Sequence, residues 1–307
     1  MPEPYHGRRL RTAAIALGAA ALLLASCGSK KRPKDERKDA GVSQLADEPA
    51  EPLCAPAPFA ATIDVAEASG AVLFDGLGLV VASDSDHHGA YQIVEPTTGE
   101  LVSASRLPLS EETSDDIEGL SAVGKTLVAI TSTGMIYEFT HNGSAFEATN
   151  SPYPVGDAQA GCPHRSTNCG YNWEGLCLGP PSVPALRGCA GAAVSKRDGT
   201  LVCLTRSESG QLAIDPTRTL AAGRRETLSG CAIDGAGGIW VATNLLAANA
   251  VTMFAESHEQ LYKTWAVGSI EAIAVLSWSD RASEIVLLSD TARAPSAAFR
   301  YRCTTEL

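Results

Sequence analysis

The sequence predicts an all-β protein, a β-propeller of five countable blades that follows an export signal and a disordered tether. Three observations predict it. Helical periodicity is scarce across residues 56–307, where short runs rich in Val, Ile, Leu and Thr are punctuated by Gly, Asp, Asn and Ser. These runs recur in comparable units, and repeats of this kind, roughly 40–55 residues and about four strands each, are the mark of a propeller. About 250 residues of globular chain suffice for one large domain.

Each unit opens with a small or acidic residue, then Gly or Ala, then an apolar strand. The openings are Ser69-Gly70-Ala71-Val72, Glu118-Gly119-Leu120, Glu174-Gly175-Leu176, Ser229-Gly230-Cys231-Ala232 and Glu271-Ala272-Ile273, spaced by 49, 56, 55 and 42 residues. A Gly-rich turn leads to a second apolar strand with a polar end. These second strands read as GLVVASD to Asp84, TLVAITS to Ser132, TLVCLTR to Arg206, GIWVATN to Asn244 and EIVLLSD to Asp290. On this reading the third unit carries an insertion, roughly Gly179 to Ala190, that includes Cys189. A single unit cannot bury both of its faces, so neighbours must stack around a central channel. A sixth blade has room between Phe146 and Asn172, and a β-sandwich is the competing architecture for repeats this irregular.

The N-terminus has the three parts of an export signal. Arg8, Arg9 and Arg11 form a basic start, and Thr12 to Ala25 is an apolar stretch too short to span a bilayer, which takes roughly 20 residues. Leu24-Ala25-Ser26-Cys27 follows and resembles the bacterial lipobox, in which the cysteine is acylated and becomes the first mature residue. The resemblance implies that residues 1–26 are removed and that Cys27 carries the lipid (palmitate-type acyl chains). With Gly28 and no Asp in the next position, it implies the outer membrane. Residues 27–55 read as a tether, rich in charge, Pro and Ala and with little to bury. Residues 56–307 form the propeller domain.

Removing residues 1–26 leaves 21 Lys and Arg against 34 Asp and Glu, a net charge of −13, and the tether's six basic and six acidic residues cancel. The globular part is therefore acidic, which excludes a nucleic-acid partner and suits cations. Beyond Cys27, eight cysteines remain: Cys54, Cys162, Cys169, Cys177, Cys189, Cys203, Cys231 and Cys303. An even number in an exported chain suggests disulfides, with Cys162–Cys169 as a local clip and Cys54–Cys303 joining the ends of the domain. Zinc on Cys162, His164 and Cys169 is the competing use, but no CxxC pair supports it.

Asp115-Asp116-Ile117-Glu118-Gly119-Leu120 and Asn172-Trp173-Glu174-Gly175-Leu176 resemble the D-x-E-G-[IL] and F-E-G-L openings of two exported bacterial propeller families. These are the SdiA-regulated and esterase-like phytase families. The resemblance spans roughly residues 60–303, and only these two motifs are specific. It implies a propeller and raises metal-dependent hydrolysis, although those families' acidic metal-site pattern does not recur here in recognisable form.

Unit openings and second-strand ends meet at one mouth of a propeller's channel. That mouth is expected to hold Glu118, Glu174, Glu271, Asp84, Asp290 and Asn244, with Ser132 and Arg206. Converging oxygen ligands suit a hard cation such as calcium, against the alternative of strand-end residues satisfied by backbone and water. Asp84-Ser85-Asp86-His87-His88-Gly89, with Glu95 in the twelfth position, comes close to a calcium loop and adds Asp86 as a candidate ligand. Its flanks are strand-like, however, and an extended Ala90–Glu95 carries Glu95 away, so a polar hairpin turn is the simpler reading. Gly119 to Thr126 matches a phosphate-binding loop, but a strand hairpin follows it where a helix is required, and nucleotide binding is rejected. No G-x-S-x-G elbow is present, and among the histidines only His87 and His88 fall near the mouth. The expectation is an envelope-anchored binding or scaffolding module with a structural calcium, held at the membrane by Cys27 and meeting an envelope protein. A phytase-like phosphoesterase or a lactonase using the acidic mouth is the alternative.

Overall fold

The second strand of each repeat explains the architecture, because its residues are apolar without alternation. In a computed structural model, Leu79, Val80, Val81 and Ala82 are all fully buried, as are Ile285 to Leu288. Both faces of such a strand must therefore be covered. Leu79 and Val81 join one hydrophobic cluster with Ala272 and Val286, while Val80 and Ala82 join another with Leu120 and Leu127. Each repeat is thus a sheet packed between two neighbouring sheets. Five clusters occur, one at each junction, and the junction between the last sheet and the first closes the ring.

The chain divides into residues 1–49 and 50–307, and everything described lies in the second unit. The structure describes residues 54–156, 169–222, 227–245, 248–254, 259–263, 268–279, 281–291 and 295–304. Blade one is an antiparallel meander of β3 (Ala68–Phe74), β4 (Gly78–Ser83), β5 (Ala90–Val94) and β6 (Leu101–Arg106). Blade two contains β7 (Ile117–Val123), β8 (Thr126–Thr131), β9 (Met135–His141) and β10 (Phe146–Ala148), and β11 (Tyr153–Pro154) also pairs with β9. Blade three is β12 (Trp173–Leu178), β13 (Gly191–Ser195), β14 (Thr200–Arg206) and β15 (Leu212–Ala222). Blade four is β16 (Leu228–Ile233), β17 (Ile239–Leu245), β18 (Ala248–Phe254) and β19 (Glu259–Lys263). Blade five is β20 (Ser269–Trp278), β21 (Ala282–Asp290) and β22 (Pro295–Thr304), and it is completed from the other end of the chain. Both β1 (Cys54–Ala57) and β2 (Thr62–Ala66) pair antiparallel with β22.

The expected five blades are found, and the described residues between Phe146 and Asn172 hold no sixth: β10 and β11 both belong to blade two. One strand assignment needs correction. TLVCLTR is the third strand of blade three, not the second; GAAVS, from Gly191 to Ser195, is the second. The expected insertion is the β12–β13 loop, which contains a short 3-10 helix over Pro184–Leu186.

Disulfides reinforce the ring. Cys54–Cys303 ties β1 to β22, Cys177–Cys231 joins the inner strands of blades three and four, and Cys189–Cys203 braces blade three. Cys169 is also disulfide-bonded, while Cys162 and His164 lie outside the described residues.

The inner strands β3, β7, β12, β16 and β20 touch around the axis because four of them carry glycine at the same place. A Cβ on Gly119 would lie 2.5 Å from the Leu176 nitrogen, and one on Gly175 would lie 2.9 Å from the Cys231 nitrogen. Both distances are too short for any side chain, so only hydrogen fits where backbone meets backbone. The axial space among Gly70, Gly119, Gly175, Gly230 and Ala272 is only about 10 Å³. The glycine ring separates the two ends of the axis.

Candidate functional site: an acidic mouth at the start of the inner strands

Every inner strand breaks its pairing register at its opening: between Ala68 and Gly70, Ile117 and Gly119, Trp173 and Gly175, Leu228 and Cys231, and Ile270 and Ala272. A β-bulge leaves one residue unpaired and re-aims its side chain. The bulged residues are Ser69, Glu118, Glu174, Ser229 and Glu271, so the small-or-acidic opening read in the sequence is a bulge repeated in all five blades. The two serines turn sideways: Ser69 donates to the Ile117 carbonyl and Ser229 to the Ile270 carbonyl, each joining its blade to a neighbour. The three glutamates are left to form the site.

Second-strand ends supply the rest. Asp84 follows β4, and its backbone N–H donates to the Glu67 carbonyl at 2.9 Å. Ser132 follows β8, and its hydroxyl donates to Asp116. In blade three the equivalent position is Lys196, whose ammonium meets Glu174 Oε2 at 2.9 Å. Asn172 Nδ2 donates to the other oxygen of Glu174 at 3.0 Å. One ligand oxygen each from Asp84, Asp116 and Glu118 falls within 4.8 Å of the others.

Burial makes this arrangement costly for bare charges. Asp116 is 2%, Glu118 6% and Glu174 3% exposed. Desolvation, followed by the charges of Glu174, Asp84, Asp116 and Glu271, pushes the Glu118 carboxyl well above the usual range. Asp84 is pushed up to about 9 by burial and by its hydrogen bond to, and the charge of, Asp116. Glu174 is pushed up to about 8, burial outweighing the attraction of Lys196. Burial works against the Lys196 ammonium, but Glu174 and Glu271 overcome it and raise its pKa. Asp84 and Glu174 thus favour the protonated carboxyl at neutral pH unless a bound cation takes the proton's place.

The expected residues therefore separate. Asp84, Glu118, Glu174 and Glu271 interact with one another at the mouth. Asp290 pairs across from Ser269 at the end of β21, and Asn244 is placed at the end of β17 by its backbone alone. Asp86 is exposed in the turn after β4, at positive φ, and Glu95 closes a separate turn with Thr97 and Thr98. Arg206 is not at the mouth. It ends the third strand of its blade and donates to the Gly210 carbonyl. Two contributors escaped the sequence reading: Asp116, two residues before the bulge, and Lys196. His87 and His88 do flank the mouth, with His87 Nε2 2.9 Å from Glu67 Oε2 and His88 Nδ1 3.5 Å from Asp115 Oδ2.

No family model matches the chain, and no curated protein matches it in sequence. Among solved structures it is similar to a glutaminyl cyclase of Myxococcus xanthus, at 14% identity and a TM-score of 0.50 over 82% of this chain and 97% of that one. A luciferin-regenerating enzyme aligns at 12% identity and a TM-score of 0.48, covering 81% of this chain and 95% of the other. A calcium-binding protein, regucalcin, of Agrobacterium tumefaciens aligns at 11% and 0.43, covering 80% and 94%. At such identities the likeness speaks to fold alone. The closed ring of five sheets, with the likeness to the first of these structures, makes the described residues between 54 and 304 a five-bladed β-propeller.

Proposed function

We propose that the acidic mouth binds a divalent cation of the calcium class, in a propeller that serves as an envelope-tethered binding module. The observation that carries this reading is the convergence of Asp84, Asp116 and Glu118, with ligand oxygens within 4.8 Å of one another. An ion held at about 2.4 Å by oxygen ligands keeps those oxygens no more than about 4.8 Å apart, so the spacing fits. The donors are all hard oxygens, which favours calcium or magnesium over zinc. Asp84, Asp116, Glu118 and Ser132 would hold the ion, which would neutralise charge that burial otherwise suppresses. The rigid rim would then present its loops to a ligand or partner protein. Attachment through acylated Cys27, at the outer membrane, belongs to the same reading and rests on the Leu24–Cys27 pattern.

Metal-assisted hydrolysis of a phosphate ester or lactone is the second reading, and one observation favours it. Glu174, held near neutrality beside Lys196, has the ionisation expected of a general acid or base.

Calorimetric melting of the chain from residue 28 onward, with calcium and with chelator, tests the first reading. The expected result is a calcium-dependent rise in melting temperature with near-stoichiometric metal, abolished in Glu118→Gln; no bound metal and no shift would refute it. Turnover of p-nitrophenyl phosphate or a γ-lactone by the calcium-loaded chain, lost in Glu174→Gln, would establish the second. Absence of turnover with both would remove it.

A further inference from the structure

The opposite end of the axis has different chemistry. Beyond the glycine ring, the C-terminal halves of the inner strands enclose a cavity of about 350 Å³, lined by Leu73, Ala122, Leu178, Ile233 and Val275 and bordered by Trp278. This volume falls within the range of small-molecule sites, and its walls are rigid inner strands. Trp278, the last residue of β20, is 53% exposed, whereas Trp173 and Trp240 are fully buried in blade junctions. Its place is made by Gly235: a Cβ there would lie 1.9 Å from Trp278 Cε2 and 2.1 Å from Cζ2. The indole therefore lies against bare backbone on one side and remains accessible on the other.

Charge narrows the occupant. Among the described residues lining the cavity, Asp75 is the charged one, Ser121 contributes a hydroxyl, and the remainder are apolar side chains and small residues. The Ser121 oxygen already accepts from the Leu178 N–H at 2.9 Å. A bare metal ion would lack the six or more oxygens it needs, and an anion would meet Asp75 and a chain of net charge −11. An aromatic face and a carboxylate lining one cavity suit an organic cation with an apolar body.

The geometry points to a second binding site at this end of the axis, for a compact organic ammonium whose ring stacks on Trp278 and whose charge faces Asp75. The site is independent of the acidic mouth, because the closed glycine ring lies between them.

Isothermal titration of the chain from residue 28 onward, with calcium saturating, tests it with three matched probes: naphthylmethylammonium, naphthylmethanol and naphthoate. One-to-one binding of the ammonium is expected, with the alcohol several-fold weaker and naphthoate undetectable. Trp278→Ala should weaken ammonium and alcohol at least tenfold, and Gly235→Ala, which displaces the indole, should do likewise. Asp75→Asn should erase the ammonium's advantage while leaving the alcohol unchanged. Trp278 is half-exposed, so its replacement leaves the folded ring intact. No saturable binding, equal binding of ammonium and alcohol by the unaltered chain, or binding indifferent to Trp278→Ala would overturn the proposal. Ammonium binding that appears only when calcium is withdrawn by chelator would place it at the acidic mouth and overturn the proposal equally.

Discussion

Raising the pH of the metal-free protein from 5 to 8 should destabilise it, the reverse of the trend set by salt-bridged carboxylates. A carboxyl whose pKa is raised on folding keeps its proton in the native state over a range where the unfolded chain has released it. Unfolding is then favoured as pH climbs from the unfolded value towards the folded one. Glu174 has its folded value at about 8, against 4.5 for the ordinary group. Between pH 5 and 8 one retained proton corresponds to about 1.4 kcal/mol per pH unit, or about 3–4 kcal/mol after allowing for partial ionisation at the upper end. Asp84, raised to about 9, acts in the same direction. It shares its field with Glu118, so one group's worth is the safer figure for the whole mouth. For a domain of this size about 3–4 kcal/mol corresponds to a fall in Tm on the order of 10 °C. Calcium should flatten the slope, since it binds ionised carboxylates, and at a hundredfold excess over Kd it adds about 3 kcal/mol. Differential scanning calorimetry at pH 5, 6, 7 and 8, with chelator and with calcium, reads both effects. A metal-free Tm that is flat or rises between pH 5 and 8 would refute the assignment of buried, mutually repelling carboxyls. So would a calcium-induced shift of the same size at every pH.

Two further outcomes follow from the ring itself. Gly119→Ala places a methyl group 2.5 Å from the Leu176 backbone nitrogen, so it should cost at least about 3 kcal/mol and appear as a lower urea midpoint with an unchanged slope. The double substitution Cys54→Ser with Cys303→Ser opens a bridge spanning 249 residues. Chain entropy puts the loss at about 5 kcal/mol, and the variant's guanidinium midpoint should fall between those of the intact and the fully reduced protein, because Cys177–Cys231 and Cys189–Cys203 stay closed.

What could be read in the sequence depended on how loudly each strand announces itself. GLVVAS and EIVLLS are covered on both sides, so their continuous apolar runs marked the blades and gave the correct count. GAAVS did not stand out, because Ala192, facing blade four, and Ala193, facing blade two, are both small where the blades pack. The neighbouring TLVCLTR has larger side chains and drew the assignment, which put Arg206 at the mouth and left Lys196 unnoticed. The tether boundary at residue 55 cut through CAPA, which is one strand: an edge strand tolerates Pro56, and β1 is the outermost strand of blade five. The acidic openings were visible as letters. That each is a bulge turning Glu118 towards Asp84 and Asp116 depends on pairing register, which no short segment encodes.

The seam between the first and last strands also has a mechanical meaning. Tension applied through the chain preceding residue 54 would reach the propeller at the first residue of β1, and Cys54 is the residue bonded to Cys303. Without that bond, load on an edge strand would peel it from β22 one hydrogen-bonded pair at a time. With it, the force passes at once into β22, which is flanked on its other side by β21. A pull would then have to shear a central pairing of the fifth sheet before the ring could open. The disulfide sits where a tethered domain would be loaded, so it protects against force as well as against heat.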